Sequence, residues 1–465
     1  MSTRSFLALM LPVIVACGGP DDPPPPDNSP VSDLSWELSD VFLGPVTVQW
    51  TQREAFDVVV EYQVDDDWRQ TPTIEGVEGD NEATVVGIPL GDSAEWRITL
   101  TDGTSIDSND PIEQRPINDG MPLPTITESQ PDLWEPTANY LLVSINENAC
   151  TWCPGVYWLM IIDREGRPVW ATRTSPGHWI LYAQVSITSN TLLWDDIGQS
   201  YDDSVALRAY LDEPVEEIAI PGHHHAMVEL PDGTLAWGAG SYTDYTESIM
   251  ERAPGAVAPT EIWSCENWPA LDGEDTSTET TPYSGYYSDG CFGSNALWYD
   301  PASDTYTYSW YSVESVVEVD RSTGEATWWS QSGGLPLEGL DNEYSFDPPS
   351  SQFIWQHGVE ILDNGHLLIS SDDADSTLVR EYEIDREAKV LREVWSYDPG
   401  VYAQFNGDTR RLPGGNTLHG VGAASVLYEV TPDNTVAWRA FFSADKMLGR
   451  ADVIEDLYDY IAPRE

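Results

Sequence analysis

Histidine is scarce in this chain, with 7 copies in 465 residues. Five of the seven lie in or beside short motifs that resemble one another: His223, His224, His225, His357 and His419. A neutral imidazole can attack an electrophile, and an arginine can hold an anion through its forked, permanently charged donors. Two other interpretations stay open. His223 and His225 would share a face of a strand and could chelate a metal with His357, or each histidine could be an ordinary hydrogen-bonded structural residue.

The motifs that carry these histidines recur along the chain. His225 lies eight residues before Gly233, His357 lies eight before Gly365, and Gly407 takes the equivalent position in a later copy. Short apolar runs separated by Asp, Asn and Gly turns repeat with a period of about 50 residues, which is typical of a β-propeller built from four-stranded blades. The first strand of each blade lines the central channel, so we expect His225 and His357 to face the same space.

Several motifs together resemble the bacterial arylsulfotransferase family, the periplasmic type that uses an aryl sulfate as donor and needs no nucleotide sulfate. The resemblance covers roughly residues 134–460. It rests on the pair at 224–225, Gln356-His357 before ILDNG, REYEID at 380–385, VWSY at 394–397, and Arg450-Ala451 before Leu457-Tyr458. It implies an all-β protein, with a six-bladed β-propeller preceded by a small β-sandwich. It also implies a reaction without metal or cofactor, with an aryl sulfate and a phenol as the small-molecule partners.

The same resemblance implies roles for individual residues. His225 or His224, together with His357, would bind the sulfuryl group, Arg380 would stabilise its charge, and Gln356 would contact the substrate. In the family, a further histidine in a late blade carries the sulfuryl group covalently. Here that place falls near residues 422–425 (GAAS), which contain no histidine, and His419 comes several residues earlier. We therefore expect His419, or else His225 or His357, to be the nucleophile.

The chain before the repeats predicts a separate domain. Alternating runs VTVQW, FDVVVEYQV, EATVVGI and AEWRITLTDG lie within residues 31–115, with Trp50 and Tyr62 as candidate core aromatics. This pattern favours a fibronectin-III- or immunoglobulin-like β-sandwich. Residues 116–133 are predicted to be a proline-rich linker, and residues 134–465 the propeller.

The first residues predict export and a lipid anchor. Residues 1–17 have an early cation, an apolar run and the sequence IVAC, which indicates a signal peptide with a lipobox and lipidation of Cys17. An ordinary signal peptide or a transmembrane helix is the alternative, although the apolar run is short for a span. Residues 18–30 (GGPDDPPPPDNSP) predict a stiff, solvated tether. Gly18 after the cysteine favours the outer membrane, on its periplasmic or outer side, in a Gram-negative host.

The charge balance is strongly acidic. With 79 acidic and 21 basic residues, the formal net charge is −58. This charge argues against nucleic acid or anionic lipid headgroups as partners and indicates solubility in a salty or divalent-rich exterior. Acidic clusters at 195–196, 202–203 and 372–375 could bind Ca²⁺, although none has the ligand spacing of a calcium loop.

The remaining cysteines fit an exported protein. Beyond Cys17 there are four, and we expect two structural disulfides, Cys150 with Cys153 and Cys265 with Cys291. The second would fix the long insertion at 242–293, which is rich in Thr, Ser, Gly and Tyr. A redox role for the Cys-x-x-Cys pair is the alternative, although the surroundings of a thioredoxin motif are absent.

Two hypotheses of function follow. The first is a lipid-anchored, extracytoplasmic enzyme that transfers sulfuryl groups between phenols through a histidine intermediate. The second is a propeller that has kept the fold and lost catalysis, and that acts as a ligand-binding or surface-interaction protein. The sequence leaves the oligomeric state open.

Overall fold

The structure, a computed structural model, describes residues 29–148, 155–241, 246–265, 293–311, 314–332, 342–373 and 375–463. Strands and their turns make up these residues, with four short 3₁₀ helices at Pro131–Leu133, Pro349–Ser351, Gly422–Ala424 and Leu457–Tyr460. The predicted all-β class is thereby confirmed. None of the helices in these ranges is long and apolar enough to cross a membrane. The predicted signal peptide, Cys17 and most of the tether lie outside the described residues.

Three small sheets form the first part of the chain. Their strands are β1 (Val31–Leu38), β2 (Val46–Gln52), β3 (Val58–Val64), β4 (Asp67–Gln70), β5 (Gly79–Val85), β6 (Ser93–Ala94), β7 (Trp96–Leu100), β8 (Ser105–Asp107) and β9 (Ile112–Glu113). The sheets have the orders β1-β2-β5, β4-β3-β7-β8 and β6-β9. Side chains alternate between buried and half-buried along β2 and β3, as the sequence pattern predicts. Trp50 and Tyr62 lie in the core that the two larger sheets share, as expected.

Six further sheets follow, each with four or five strands. The strands of the first three are β11 (Tyr140–Asn146), β12 (Tyr157–Asp163), β13 (Pro168–Arg173), β14 (Ala183–Val185), β15 (Leu192–Asp196), β16 (Val205–Ala209), β17 (Pro214–Ala219), β18 (His223–Glu229), β19 (Leu235–Ser241), β20 (Thr246–Arg252) and β21 (Thr260–Ser264). A late strand, β35 (Met447–Ile454), completes the first of them. Their orders are β13-β12-β11-β35, β14-β15-β16-β17 and β18-β19-β20-β21.

The other three sheets complete the set. Their strands are β10 (Thr125–Ser129), β22 (Ser294–Asp300), β23 (Thr305–Trp310), β24 (Ser315–Asp320), β25 (Ala326–Gln331), β26 (Ser345–Asp347), β27 (Val359–Ile361), β28 (Leu367–Asp373), β29 (Ser376–Asp385), β30 (Val390–Tyr397), β31 (Asp408–Arg411), β32 (Thr417–Val421), β33 (Val426–Val430) and β34 (Val436–Phe441). Their orders are β22-β23-β24-β25, β27-β28-β29-β30-β26 and β31-β32-β33-β34-β10.

One edge strand of each of these six sheets contacts an edge strand of a neighbouring sheet. β14 contacts β35, β35 contacts β31, β31 contacts β27, β27 contacts β22, and β22 contacts β18. Hydrogen bonds from Ser186 to Glu229, 2.9 and 3.1 Å long, join the end of β14 to β18. Six edge strands from six sheets therefore form a closed series of contacts.

Two of the six sheets contain a strand that is distant in sequence from its pairing partner. β35 pairs antiparallel with β11, so the end of the chain completes the first of the six sheets. β10 pairs with β34 and adds a fifth strand to the last sheet. The segment predicted as a free linker, residues 116–133, therefore contains a strand. The sequence TITES carries only a weak strand pattern, and its backbone partner lies about 300 residues away.

The first part of the chain packs against the six sheets. Leu43 and Ala171 form an isolated antiparallel bridge. The hydroxyl groups of Tyr62 and Tyr458 lie 3.1 Å apart, and Arg167 reaches Asp65 at 2.9 Å. Phe42 shares an apolar cluster with Trp170 of β13. The two parts are thus joined by apolar packing as well as by polar contacts.

Candidate active site

The triple histidine begins strand β18, and a bulge sets the direction of its side chains. The pairing of β18 with β19 shifts register between His223 and Met227. A bulge inserts an extra residue and redirects side chains from strict alternation. As a result His223 and His224 are both buried, while His225 is partly accessible. The alternation assumed for His223 and His225 therefore does not hold.

His223 belongs to a buried pair with Asp195. Its Nε2 lies 2.8 Å from Oδ2 of Asp195, and both side chains are fully buried. The other oxygen of Asp195 accepts the backbone N–H groups of Leu181 and Tyr182 at 2.9 and 3.0 Å. Burial lowers the pKa of His223, although Asp195 opposes this shift. These contacts hold the side chain of His223 in the protein interior. The partly accessible histidine of this motif is His225.

His224 and His225 form a chain of hydrogen bonds that ends at a carboxylate. Nδ1 of His224 lies 2.8 Å from Nδ1 of His225, and Nε2 of His224 lies 3.1 Å from Oε1 of Glu247. Glu247, on β20, is fully buried. Burial would raise its pKa, but the interactions with His224 together with the hydrogen bonds of Ser294 and Tyr308 hold the pKa below the ordinary value.

His357 comes from another sheet, two residues before β27. Its backbone N–H donates to Ser370 O at 3.0 Å, and its Nδ1 lies 3.3 Å from Trp355 O. Burial lowers its pKa to about 4. A β-carbon at Gly407, the equivalent position in the next sheet, would lie 2.9 Å from Ser370 Oγ and 3.5 Å from Cβ of His357. A side chain at this position would press on the Ser370 hydroxyl and contact His357.

His225 and His357 lie close enough to affect each other. Burial, followed by repulsion from His224 and His357, holds the pKa of His225 well below its usual value. Both histidines are partly accessible. The predicted convergence of these two residues is therefore found in the structure, and both are neutral at pH 7.

Arg450 supplies the positive charge beside them. It lies on β35, with its Nε 3.7 Å from Asp408 Oδ1 and its guanidinium 5.0 Å from the ring centroid of Tyr182. Its charge contributes to the lowered pKa of both His225 and His357. In the sequence, Arg450 appeared only as part of a family motif. Its place beside the histidines depends on the pairing of the last strand with the first sheet.

Aromatic rings lie beside His357 and His224. The ring of Tyr311 lies 5.2 Å from that of His357, and the ring of Tyr201 lies 5.7 Å from that of His224. Trp179 lies 6.1 Å from Tyr201. Two neutral imidazoles, a guanidinium and flanking aromatic rings can together bind an anionic group attached to an aromatic ring.

Residues 292–441 match the model of a family described as arylsulfotransferase (ASST). Over these residues the match supports the resemblance to arylsulfotransferases that the sequence motifs indicated. The matched stretch contains His357 and excludes His225 and Arg450. No curated protein matches the chain.

Among solved structures, the chain is similar to several proteins at low identity. One is a protein of unknown function from Bacteroides caccae, with 14% identity, 69% of this chain and 100% of that chain covered, and a TM-score of 0.44. Another is a putative 6-phosphogluconolactonase from Bacteroides uniformis, with 11% identity, 85% and 100% covered, and a TM-score of 0.40. A third is an inactive variant of virginiamycin B lyase from Staphylococcus aureus with quinupristin, with 10% identity, 71% and 100% covered, and a TM-score of 0.37.

Arg380, which the arylsulfotransferase resemblance placed at the sulfuryl group, makes other contacts. It lies on β29, the third strand from the inner edge of its sheet. Its guanidinium donates to Gln352 O at 2.8 Å and lies 3.6 Å from Glu393. The structure does not bring Arg380 together with the histidine pair, whereas the charge of Arg450 acts on both histidines.

Gln356 also has a structural environment. It is fully buried, and its amide nitrogen donates to Trp310 O and Ser315 O, each at 2.9 Å. These bonds tie the segment before β27 to the neighbouring sheet and thereby position the next residue, His357. The expected contact of Gln356 with substrate is replaced by this supporting position.

His419 differs most from the expectation. It lies on β32, the second strand of its sheet, and is fully buried. Its two ring nitrogens lie 3.0 Å from Asp408 O and from Thr377 O, and its ring stacks on Tyr428. Both nitrogens therefore face backbone carbonyl groups, and the ring has no accessible edge at which a substrate could bind. The geometry does not support His419 as the nucleophile.

The metal and cysteine predictions have different outcomes. Within the described ranges, no group of three or more His, Cys, Asp or Glu side chains is arranged to hold a metal ion. Chelation by His223, His225 and His357 is not favoured, because Nε2 of His223 is bound to Asp195. Cys150, Cys153 and Cys291 lie outside the described residues, so both disulfide pairings stay predictions.

Proposed function

We propose that this protein transfers a sulfuryl group from an aryl sulfate to a phenolic acceptor through a histidine intermediate. The observation that carries the proposal is the meeting of His225 and His357, from two sheets, beside Arg450. Both imidazoles are neutral at pH 7, and a neutral imidazole is a competent nucleophile and base. The family match over residues 292–441 supports the same class of reaction.

The two histidines have different roles in this proposal, one as nucleophile and the other as base. Arg450 holds the sulfate anion of the donor, and Tyr311 packs against its aryl group. One imidazole attacks sulfur through Nε2, so an N–S bond forms while the S–O(aryl) bond breaks and its electron pair leaves on the phenolate oxygen. The acceptor phenol then gives its proton to the other imidazole and attacks sulfur, which breaks the N–S bond.

The proposal includes a six-bladed propeller and a β-sandwich before it. Six sheets of four or five strands and the closed series of contacts among their edge strands support six blades. The shared core of the first two larger sheets supports the sandwich. We also propose, from residues 1–30 alone, that the protein is exported and held by a lipid on Cys17, at the outer membrane.

Turnover of a chromogenic aryl sulfate in the presence of a phenol tests the reaction. The wild-type protein should release the donor phenolate faster as acceptor is added and should yield the sulfated acceptor. Changing His225 or His357 to Ala should lower the rate by at least about 100-fold, the range typical of positioned acid–base groups.

His366→Ala is the matched control for these variants. His366 is partly buried and bound to Glu381 at 2.7 Å, on a different part of the same sheet as His357. It should retain the wild-type rate. Equal rates in all four proteins would remove the histidine pair from the mechanism.

One observation favours a second function. Residues 422–425, where the family has its late-blade histidine, are Gly-Ala-Ala-Ser. A propeller without that histidine could bind aryl sulfates without turnover. A folded protein that binds the donor by calorimetry but releases no phenolate, with any of a panel of donors and acceptors, would establish this alternative.

A further inference from the structure

Glu247 is surrounded by hydrogen-bond donors. Its Oε2 accepts the backbone N–H groups of Gly293 and Ser294 at 2.7 and 2.8 Å. Its Oε1 accepts the hydroxyl groups of Tyr308, at 2.5 Å, and of Ser294. A carboxyl group that accepts from both oxygens in this way is ionised. The nitrogen of His224 that faces Glu247 must therefore carry a proton.

This arrangement determines the protons on the next two rings. In the neutral pair, His224 carries its single proton on Nε2, so its Nδ1 has a lone pair and accepts. Nδ1 of His225, 2.8 Å away, must then be the donor. Nε2 of His225 is left with a lone pair, and it has no hydrogen-bond partner among the described residues.

His357 lacks an equivalent support. Its Nδ1 donates to a backbone carbonyl, Trp355 O, at 3.3 Å, and no carboxylate follows. Both rings present Nε2 as a lone pair, but only His225 is connected to a negative charge. An imidazole that gains a bond at Nε2 becomes cationic. A series of hydrogen bonds that ends at a carboxylate stabilises that cation.

We propose that His225 is the residue that receives the sulfuryl group, and that Glu247 acts through His224 as its positioning residue. This inference rests on the proposed function. Nε2 of His225 forms the bond to sulfur, and the aryl oxygen leaves with the electron pair of the broken S–O bond. The positive charge on the N-sulfurylated ring is shared through the Nδ1 proton with His224 and balanced by Glu247. His357 then accepts the proton of the incoming phenol.

The first experiment locates the adduct. Wild-type protein is mixed with an aryl sulfate alone, quenched in alkali, and digested for mass spectrometry. The expected result is a sulfuryl group on the peptide that contains His225, formed in the His357→Gln variant but absent from His225→Gln. An adduct on His357 would overturn the inference while leaving the proposed function intact. Failure of the wild-type protein to form any adduct or product would overturn both.

The second experiment tests the positioning by Glu247. Glu247→Gln removes the charge with little change of size, and Glu247→Asp keeps the charge. Loss of the carboxylate behind a catalytic histidine slows a reaction by as much as about 10⁴-fold, so Glu247→Gln should form the adduct about 10²- to 10⁴-fold more slowly. Glu247→Asp should recover part of the rate. Asp195→Asn is the matched control, because it alters an equally buried histidine–carboxylate pair that has no hydrogen bond to His225. It should keep the rate of adduct formation.

A measurement of tautomers keeps the inference testable even if the Glu247 variants fold poorly. In ¹⁵N-histidine-labelled wild-type protein at pH 7, His225 should show a protonated Nδ1 and an unprotonated Nε2, and His224 the reverse. His224→Gln, which removes the accepting nitrogen, should leave His225 as a mixture of tautomers. A proton on Nε2 of His225 in the wild-type protein would refute the proposed series of hydrogen bonds from Glu247 to His225. So would a Glu247→Gln variant that is fully folded and forms the adduct at the wild-type rate.

Discussion

His357→Gln should change the way that stability depends on pH. The ordinary pKa of histidine is 6.5, and burial lowers that of His357 to about 4 in the folded protein. Between these values the unfolded chain binds a proton at this residue and the folded protein does not. The free energy of unfolding therefore rises with pH across this window, and it falls as pH decreases from 6.5 toward 4.

The magnitude follows from the same two values. A difference of about 2.5 in pKa corresponds to about 3 kcal/mol, with each unit contributing about 1.4 kcal/mol. Wild-type protein should therefore lose about 3 kcal/mol more stability than His357→Gln when the pH is lowered from 7 to 4. Contributions of the many carboxylates are common to both proteins and cancel in the difference.

Denaturant unfolding at a series of pH values provides the assay. A direct titration of the imidazole by NMR, assigned through the signal that His357→Gln lacks, provides an independent value. Stability curves that run parallel between pH 7 and 4, or an NMR midpoint of about 6 or higher, would refute the claim that burial keeps His357 neutral.

Three further predictions concern other parts of the chain. His419→Gln should lower the free energy of unfolding by about 1–3 kcal/mol, since a buried acceptor loses its partner, and should leave adduct formation intact; complete loss of the adduct in a folded variant would return the nucleophile role to His419. Arg164→Met should cost about 3–5 kcal/mol in denaturant unfolding, because it leaves the fully buried Glu429, bound at 2.6 Å, without its charged partner. Loss of Arg439, which lies 3.9 Å from the exposed Glu128, should cost about 1 kcal/mol or less. Cys17→Ala should move the protein from the membrane to the soluble fraction, and unchanged membrane association in fractionation would contradict the lipid anchor.

The parts of the fold that depend on local pattern were predictable. Strand periodicity and turn residues predicted an all-β chain, and the core aromatics Trp50 and Tyr62 lie where alternation placed them. The spacing of His225 and His357 from their glycine turns was enough to bring them together, because equivalent residues of a repeat take equivalent positions.

The errors arose where a position depends on counting strands within a sheet. His419 follows the turn of its motif, on the second strand, whereas His357 precedes it. Arg380 lies on the third strand. A residue two strands from the inner edge cannot reach a group at that edge, since strands are about 5 Å apart.

Other features required contacts between distant segments. Arg450 reaches the histidines only because β35 pairs with β11. Glu247 is two turns and a strand away from His224 along the chain, and its buried environment depends on Gly293 and Ser294 of the following sheet. No sequence signal singles out Glu247, because Asp244 and Glu251 are also acidic and lie close to it along the chain.

Because β35 pairs with β11, the first sheet and the candidate site both require the same late segment of the chain. Until the last segment is available, β11 presents an unpaired edge, and such edges are sites of aggregation. The same segment carries Arg450. A chain truncated or cleaved before residue 447 would therefore lack both the strand that completes the first sheet and the cation of the site. If the proposed function holds, molecules cleaved before that residue would be inactive as well as incompletely folded.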